Sequence, residues 1–379
     1  MTTPEDPAPP ADADAGDDLA NSVNDASLRR SEARSEQIEA DLAVHPERYR
    51  ILTGDRPTGN LHIGHYFGSL RNRVRLQDAG VQTFVVIADY QVITDRDGLG
   101  PIRDRVFSLV ADYLAAGIDP ARTTIFTHSS VPALNQLMLP FLSVVTDAEL
   151  RRNPTVKSEL DASGDRPMSG LMLTYPVHQA ADILFCKANL VPVGKDQLPH
   201  LEQTRVIARR FDERYGRAVP EVPVFPQADA LLSRGAANIL GLDGQKMSKS
   251  RGNTIDLGMS ADETARLLKR AVTDSDRHIT FDPANRPQVS NLVNLAALTL
   301  GRTPQEIADQ VGDGGGGGLK KLVTSAVNDY FAPHRARRLD LLADPGYLRD
   351  VLADGNRRAN EVAEATLDEV RTAMRMTYA

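Results

Sequence analysis

The sequence predicts an α/β fold, a parallel sheet with helices on both faces followed by an all-helical C-terminal domain. Three observations carry that reading. Thr83-Phe84-Val85-Val86-Ile87-Ala88 and Thr123-Thr124-Ile125-Phe126-Thr127 are short, β-branched and apolar throughout, as buried strands are. Between them Ile102, Val106, Leu109, Val110, Tyr113 and Leu114 recur at helical spacing, and Gly117 supplies a helix stop. Strand, helix, strand in this rhythm indicates a parallel sheet. Beyond residue 258 only helical signals remain.

Taken in order, residues 1–47 stand apart. The first two dozen are rich in Pro, Ala and Asp with few large apolar side chains, so they cannot offset the entropy of ordering. From Ser27 to Val44 charges alternate with small residues, which permits a weak helix but no core. A disordered or loosely attached tail is expected. The sheet domain, 48–240, opens on the apolar stretch Tyr49 to Thr53, a glycine-punctuated turn, and an amphipathic pattern from Leu61 to Leu76. Leu201, Thr204, Ala208, Phe211 and Tyr215 form a later helical stripe. Residues 241–258 make a loop entered through Gly241 and Gly244 and left through Gly252. In 259–352 two capping boxes start helices, Ser260 to Glu263 and Thr303 to Glu306, the second with Pro304 at the first helical position. The run Gly312 to Gly318, broken only by Asp313, reads as a flexible linker; it lacks the spacing and preceding strand of a phosphate loop. Residues 353–379, with Val362, Ala363, Thr366, Val370, Ala373 and Met374 on one stripe, predict a terminal helix packing back on the body.

Composition narrows the class. The 379 residues leave room for two domains and a large core. A net charge of −7 argues against a protein that coats nucleic acid, so an RNA partner would need local positive patches. Arg335, Arg337, Arg338, Arg349, Arg357 and Arg358 are candidates, although each is equally readable as part of a solvated helix face. The single cysteine, Cys186, excludes a disulfide framework and a cysteine-based zinc site. No run approaches a membrane span and the start lacks a signal-peptide pattern, so a cytoplasmic protein is expected.

Two motifs far apart carry the chemistry. Thr53-Gly54-Asp55-Arg56-Pro57-Thr58-Gly59-Asn60-Leu61-His62-Ile63-Gly64-His65 follows the first strand and enters a helix. Free N–H groups and the helix dipole at such a junction favour phosphates. Gly64 would leave room for a flat adenine or ribose, and His62 and His65 can donate to phosphoryl oxygens as charge builds in a transition state. Lys246-Met247-Ser248-Lys249-Ser250 sets two lysines three residues apart in a glycine-bounded loop able to close over a triphosphate. Alone, His-x-x-His is more often a surface pair or half a metal site, and Lys-x-x-Lys a solvated loop. In the middle of the chain Asp182 lies among small and apolar residues, in Ala180-Ala181-Asp182-Ile183-Leu184. A carboxylate there is costly unless something donates to it, and an indole N–H is such a donor. The alternative is an acid on a helix surface.

The two motifs resemble the HIGH and KMSKS signatures of class I aminoacyl-tRNA synthetases. Tyr175-Pro176-Val177-His178-Gln179-Ala180-Ala181-Asp182-Ile183-Leu184 with Leu190-Val191-Pro192-Val193-Gly194-Lys195-Asp196-Gln197 is similar to the tryptophanyl-tRNA synthetase pattern. The resemblance runs from about Tyr49 to the C-terminus and implies a Rossmann-like catalytic domain and a helical anticodon-binding region. It implies ATP-dependent activation of L-tryptophan, transfer to tRNA(Trp), Mg²⁺ carried on the ATP phosphates and a homodimer, with no part for DNA or a membrane. It also implies site residues. Tyr175 and Gln197 would hold the substrate's ammonium and carboxylate, Asp182 its indole, and Gln179 and Gln91 the rest of the pocket. Arg56, Pro57, Thr58, Gly64, His65, Gly194, Lys195, Asp196, Ile239, Lys246, Met247, Ser248, Lys249 and Ser250 would surround ATP, with His62, His65, Lys246 and Lys249 acting on its phosphates.

The chain departs from the commoner family form at Arg56, His65, Gln91 and Gln179, where Gln, Asn, His and Met are usual. A more polar pocket and an altered response to indole-mimicking inhibitors are expected of such a divergent bacterial branch. Competing readings are a tyrosyl enzyme, whose context around the acid differs, and a synthetase-like regulator that binds tryptophan or RNA.

Overall fold

The computed structural model describes residues 14–94, 100–163, 168–216, 223–232, 239–245, 247 and 251–378. Among the described residues five strands, β1 (Arg50–Asp55), β2 (Gln82–Ile87), β3 (Thr123–Thr127), β4 (Leu190–Val193) and β5 (Asp229–Leu232), form one sheet in the order β3-β2-β1-β4-β5. Every pairing is parallel. In β2 and β3 every residue except Gln82 is buried, which is why they read as unbroken apolar runs. At Gly54 an added Cβ would lie 2.1 Å from the Val86 carbonyl oxygen, so only glycine lets the end of β1 approach β2 this closely.

Between β1 and β4 the sheet reverses its order. The two strands pair in register only at Ile51 and Leu190. Pro192, which lacks an N–H, lies in β4 beyond that pair, where no ladder to β1 needs its donor. The Leu190-Val191-Pro192-Val193 stretch thus opens a crevice.

Helices cover both faces. On one, Ile102–Ala116, Pro287–Leu300 and Gly315–Ala343 share a core through Leu109, Tyr113, Leu292 and Phe331. On the other, Gly170–Phe185, Leu198–Tyr215 and Pro345–Ala373 pack through Val177, Phe185, Phe211 and Ala363. Gly117 ends its helix at φ +110, and both capping boxes form, with Ser260 and Thr303 accepting from Glu263 N and Glu306 N. After the histidine motif the expected continuous helix is interrupted: a turn at Ile63–His65, a π-helical turn at Tyr66–Leu70, then α-helix at Arg71–Ala79.

The terminal helices close the sheet. Ser35, on the N-terminal helix Asp14–Leu42, accepts from Leu232 N at 3.0 Å and donates to Ala230 O at 3.1 Å, blocking the β5 edge. At the opposite edge the helix Pro345–Ala373 crosses β3: Asn356 Oδ1 accepts from Thr127 N at 3.0 Å, and Arg358 donates to Thr123 O at 3.1 Å.

Three expectations are corrected. The tail was expected to lack a core, yet Ile38 and Leu42 are buried against Ile51, Leu76, Leu190 and Leu231, and Arg34 pairs with Asp229 at 2.8 Å; apolar positions spaced by four in a charged stretch suffice to dock it. The glycine run is no linker: Gly312–Gly314 forms one 3₁₀ turn and Gly315 to Gly318 begin the helix Gly315–Ala343. An added Cβ on Gly316 would lie 2.8 Å from Thr273 Oγ1, so close packing accounts for glycine there. The boundary expected between 352 and 353 falls inside the continuous helix Pro345–Ala373.

Candidate active site

The crevice between β1 and β4 lies beyond the strands' carboxyl ends, where open α/β sheets bind ligands. It holds a cavity of about 440 Å³, walled by the ends of β1 and β4 and by one face of the helix Gly170–Phe185. That volume suits a small molecule. Tyr175, Gln179 and Asp182 stand at successive turns of that helix and so share the wall, joined there by Arg56, Gln91, Gly194 and Gln197.

Asp182 is 3% exposed. Its Oδ1 lies 2.7 Å from Nε2 of His128, which is fully buried in the turn after β3. The approach is short but poorly aligned with the ring N–H, so it acts foremost as a charge pair. The His178 ring packs 4.5 Å from that of His128. Asn135 Nδ2 donates to the carbonyls of His128 and Val131, so its Oδ1 faces His178 Nε2 at 2.8 Å as acceptor, and the proton on His178 sits at Nε2. Burial pushes both imidazoles toward the neutral form. At His128 the neighbouring carboxylate of Asp182 outweighs burial and the pKa rises; at His178 burial wins and it falls. Of the two imidazoles, His128 is the one its surroundings favour for a proton.

His128, His178 and Asp182 are also ligand types lying within 4.8 Å of one another. Two ligands of a tetrahedral zinc would stand about 3.3 Å apart. The 2.7 Å contact is that of an ion pair instead.

Two further groups brace the walls. His200 Nε2 lies 2.7 Å from Thr155 Oγ1 and 3.4 Å from the Tyr175 hydroxyl. Below β1, Asp55 Oδ2 accepts from Arg73 Nη1 and from the Tyr113 hydroxyl, both at 2.6 Å. Burial would raise the Asp55 carboxyl, but the Arg73 guanidinium holds it below the usual range. This knot ties the end of β1 to the helix that continues the histidine turn.

The histidine turn and the lysine loop meet through their backbones. Ile63 N donates to Ile255 O at 3.0 Å and Leu257 N to Leu61 O at 2.9 Å. His62 N donates to His65 Nδ1 at 3.2 Å, which leaves Nε2 of His65 as the protonated nitrogen. Gly64 packs closely on its neighbours: an added Cβ would meet the His62 ring at 3.0 Å and Met247 Sδ at 3.3 Å. Ile239 and Met247 are buried in the same core. Pro57 is buried and Thr58 exposed, with Thr58 N donating to Arg56 O. Lys195 is exposed and pairs with Glu32 of the N-terminal helix at 3.2 Å. Lys246, Ser248, Lys249, Ser250 and the side chain of Asp196 lie outside the described residues.

The family model for class I tRNA synthetases of the W and Y type matches residues 45–332. The chain belongs to that family. It is 41% identical to a tryptophan–tRNA ligase of Clostridium longisporum over 86% of this chain and 97% of the relative, and 40% identical to that of Lactococcus lactis over 86% and 98%. Among solved structures it is similar to tryptophanyl-tRNA synthetase from Campylobacter jejuni complexed with ADP and tryptophan, at 30% identity and a TM-score of 0.74, covering 85% of this chain and 98% of that one. A tyrosyl-tRNA synthetase of Archaeoglobus fulgidus, 21% identical with a TM-score of 0.58 over 76% and 90%, shares the fold.

Within this class I synthetase several sequence candidates turn out to be internal fasteners. Arg335 donates to Asn328 and Thr264, Arg338 to Asp112 and Ser108, and Arg358 to the carbonyls of Pro120 and Thr123. Arg357 pairs with Asp354 and Glu361, while Arg337 and Arg349 are exposed. His128, His200 and Arg73 were not nominated from sequence. A buried histidine at a strand end carries no local signal; only its distant partner identifies it.

Proposed function

We propose that this chain activates L-tryptophan with ATP and transfers it to tRNA(Trp). The observation that carries the reading is the buried Asp182 carboxylate on the wall of the switch-point cavity, flanked by Tyr175, Gln179 and Gln197, in a chain of this family. In this proposal Asp182 accepts the indole N–H, Tyr175 and Gln197 hold the ammonium and carboxylate, and Gln179 and Gln91 line the ring. A carboxylate left without its donor rejects analogues lacking an N–H.

The tryptophan carboxylate attacks the α-phosphorus of ATP in line; the new O–P bond forms as the bond to the pyrophosphate oxygen breaks. His62 and His65 donate to the α-phosphate, and the Nε2–H assigned to His65 supports that role. Lys246 and Lys249, with Ser248, hold the departing pyrophosphate, and Ser250 closes the loop. Arg56, Pro57, Thr58, Gly64, Gly194, Lys195, Asp196, Ile239 and Met247 border the nucleotide. Mg²⁺ enters on the ATP phosphates. The terminal hydroxyl of the tRNA then attacks the mixed anhydride and AMP leaves. A homodimer working in the cytoplasm is part of the same proposal; the lone, buried Cys186 suits a reducing compartment.

The test is amino-acid-dependent exchange of labelled pyrophosphate into ATP, with Trp, Tyr and Phe offered separately. Exchange with Trp alone is expected. Its absence in a folded protein that still binds Trp would favour a regulatory role.

A further inference from the structure

The molecule hides a second polar group behind the cavity wall. His128 is fully buried and does not line the cavity, so it cannot touch a ligand there. Among the described residues its ion-pair partner is Asp182, at 2.7 Å. The turn that carries it is fixed independently of any ligand: Asn135 Nδ2 holds the His128 carbonyl at 2.8 Å, Asn360 Nδ2 holds that of Ser130 at 2.7 Å, and Ser129 N donates to Asp89 Oδ1 at 3.1 Å. A buried carboxylate survives ionised only where a counter-charge stands beside it. We propose that His128 is a positioning and specificity-determining residue, a buried cation that keeps Asp182 ionised and fixed so that its remaining acceptor capacity selects amino acids bearing an aromatic N–H.

This inference rests on the reading that Asp182 receives the indole. Among the described residues three titratable groups face His128. Asp182 and His178 face it from the helix Gly170–Phe185, and Asp89 from the segment after β2; the raised pKa of His128 and lowered pKa of His178 agree with one proton held at His128. Without His128, Asp182 would sit beside a neutral imidazole in a dry wall, and protonation would be its cheapest relief. A protonated carboxyl is both donor and acceptor and no longer demands an N–H. Selection against analogues would then depend on pH, failing at low pH and returning as pH rises.

The experiment compares Trp with its benzothiophene analogue, in which sulfur replaces the indole N–H, by pyrophosphate exchange between pH 6 and pH 9. Variants are His128→Leu, His128→Gln and Asp182→Asn. Because the chain contains no tryptophan, emission from bound Trp also reports affinity directly. The wild type should favour Trp by a large factor, on the order of 10⁴. In His128→Leu that factor should fall at least about tenfold at pH 6 and recover toward pH 9, mostly through KM. His128→Gln, polar and close in size, should show the same pH dependence in weaker form and covers the case in which the Leu variant does not fold. A role confined to packing would weaken both substrates alike at every pH. An unchanged selectivity and pH profile in the folded His128 variants, with selectivity collapsing in Asp182→Asn, overturns the assignment of His128. Selectivity unchanged in Asp182→Asn overturns the reading of Asp182 beneath it.

Discussion

Arg338 Nε lies 2.6 Å from Asp112 Oδ1, and this contact fastens the long helix Gly315–Ala343 to the helix Ile102–Ala116 against the sheet. Asp112 is 1% and Arg338 12% exposed at their side chains. Gly258 makes room for the guanidinium, whose carbon would lie 2.9 Å from a Cβ added there. Even so, burial outweighs the arginine's charge and pushes the Asp112 carboxyl up to about 6.

Removing the arginine strands that carboxylate. Arg338→Met should cost about 3–5 kcal/mol in urea unfolding at pH 8. The loss should shrink at pH 5, where Asp112 takes up a proton. Arg338→Met with Asp112→Leu should recover most of it, and a double variant no more stable than Arg338→Met would show that the pair is not a closed unit.

His334 faces the same carboxylate, with its Nε2 4.0 Å from Asp112 Oδ1. Burial, aided by the Arg338 and Arg335 charges, pulls its pKa down to about 4. Below pH 6.5 the unfolded chain gains a proton at this histidine that the folded one refuses until about pH 4, so His334 destabilises the fold as pH falls through that window. Asp112 has the opposite sign, since the folded form takes up its proton near pH 6 and the unfolded form only near 3.8. The two offset each other in the wild type. His334→Phe should unmask Asp112 and gain stability relative to wild type between pH 6.5 and pH 4, by on the order of 3 kcal/mol, measured as the difference between paired urea titrations. Parallel curves would refute the linkage.

Gly355 lies where the C-terminal helix crosses β3. A Cβ there would stand 1.8 Å from Ile125 O and 2.7 Å from its carbonyl carbon, both backbone atoms that cannot rotate away. Gly355→Ala should therefore destabilise by about 1–3 kcal/mol or more through overpacking, whereas Gly317→Ala, with open space around it, should be neutral or stabilising. Thermal melts of the two variants test the contrast.

Deleting residues 1–44 would uncover Leu76, Leu190 and Leu231 and leave the β5 edge bare. Losing the burial of Ile38 and Leu42 alone should cost about 3–6 kcal/mol. The shortened protein should melt earlier and aggregate more readily at equal concentration; equal melting would mean the N-terminal helix is not docked in solution.

The legible parts of this molecule are those whose cause is local. β2 and β3 announce themselves by composition, Gly117 and the two capping boxes by residue type and spacing, and Asp182 by the cost of its surroundings. What escaped depends on partners distant in the chain. β5 is four residues long and becomes a strand by pairing with β4. Ile38 and Leu42 look like stray apolar residues until Leu231 is beside them. Gly315 to Gly318 read as linker because glycine favours no helix; the helix exists through its later contacts, Leu319 and Val323 in the core. Arg338 and Arg358, taken from sequence as surface charge, are consumed by Asp112 and by β3 carbonyls.

The crossing of β3 by the last helix also fixes a sequence of events during synthesis. A ribosome makes β3 long before it makes Asn356 and Arg358. Through that interval the growing chain presents the β3 edge, Thr123 to Thr127, without the side chains that later occupy it. A bare apolar strand edge is an invitation to other nascent chains. Chaperone dependence in this protein should accordingly concentrate between the synthesis of β3 and that of the helix Pro345–Ala373, and end when that helix docks.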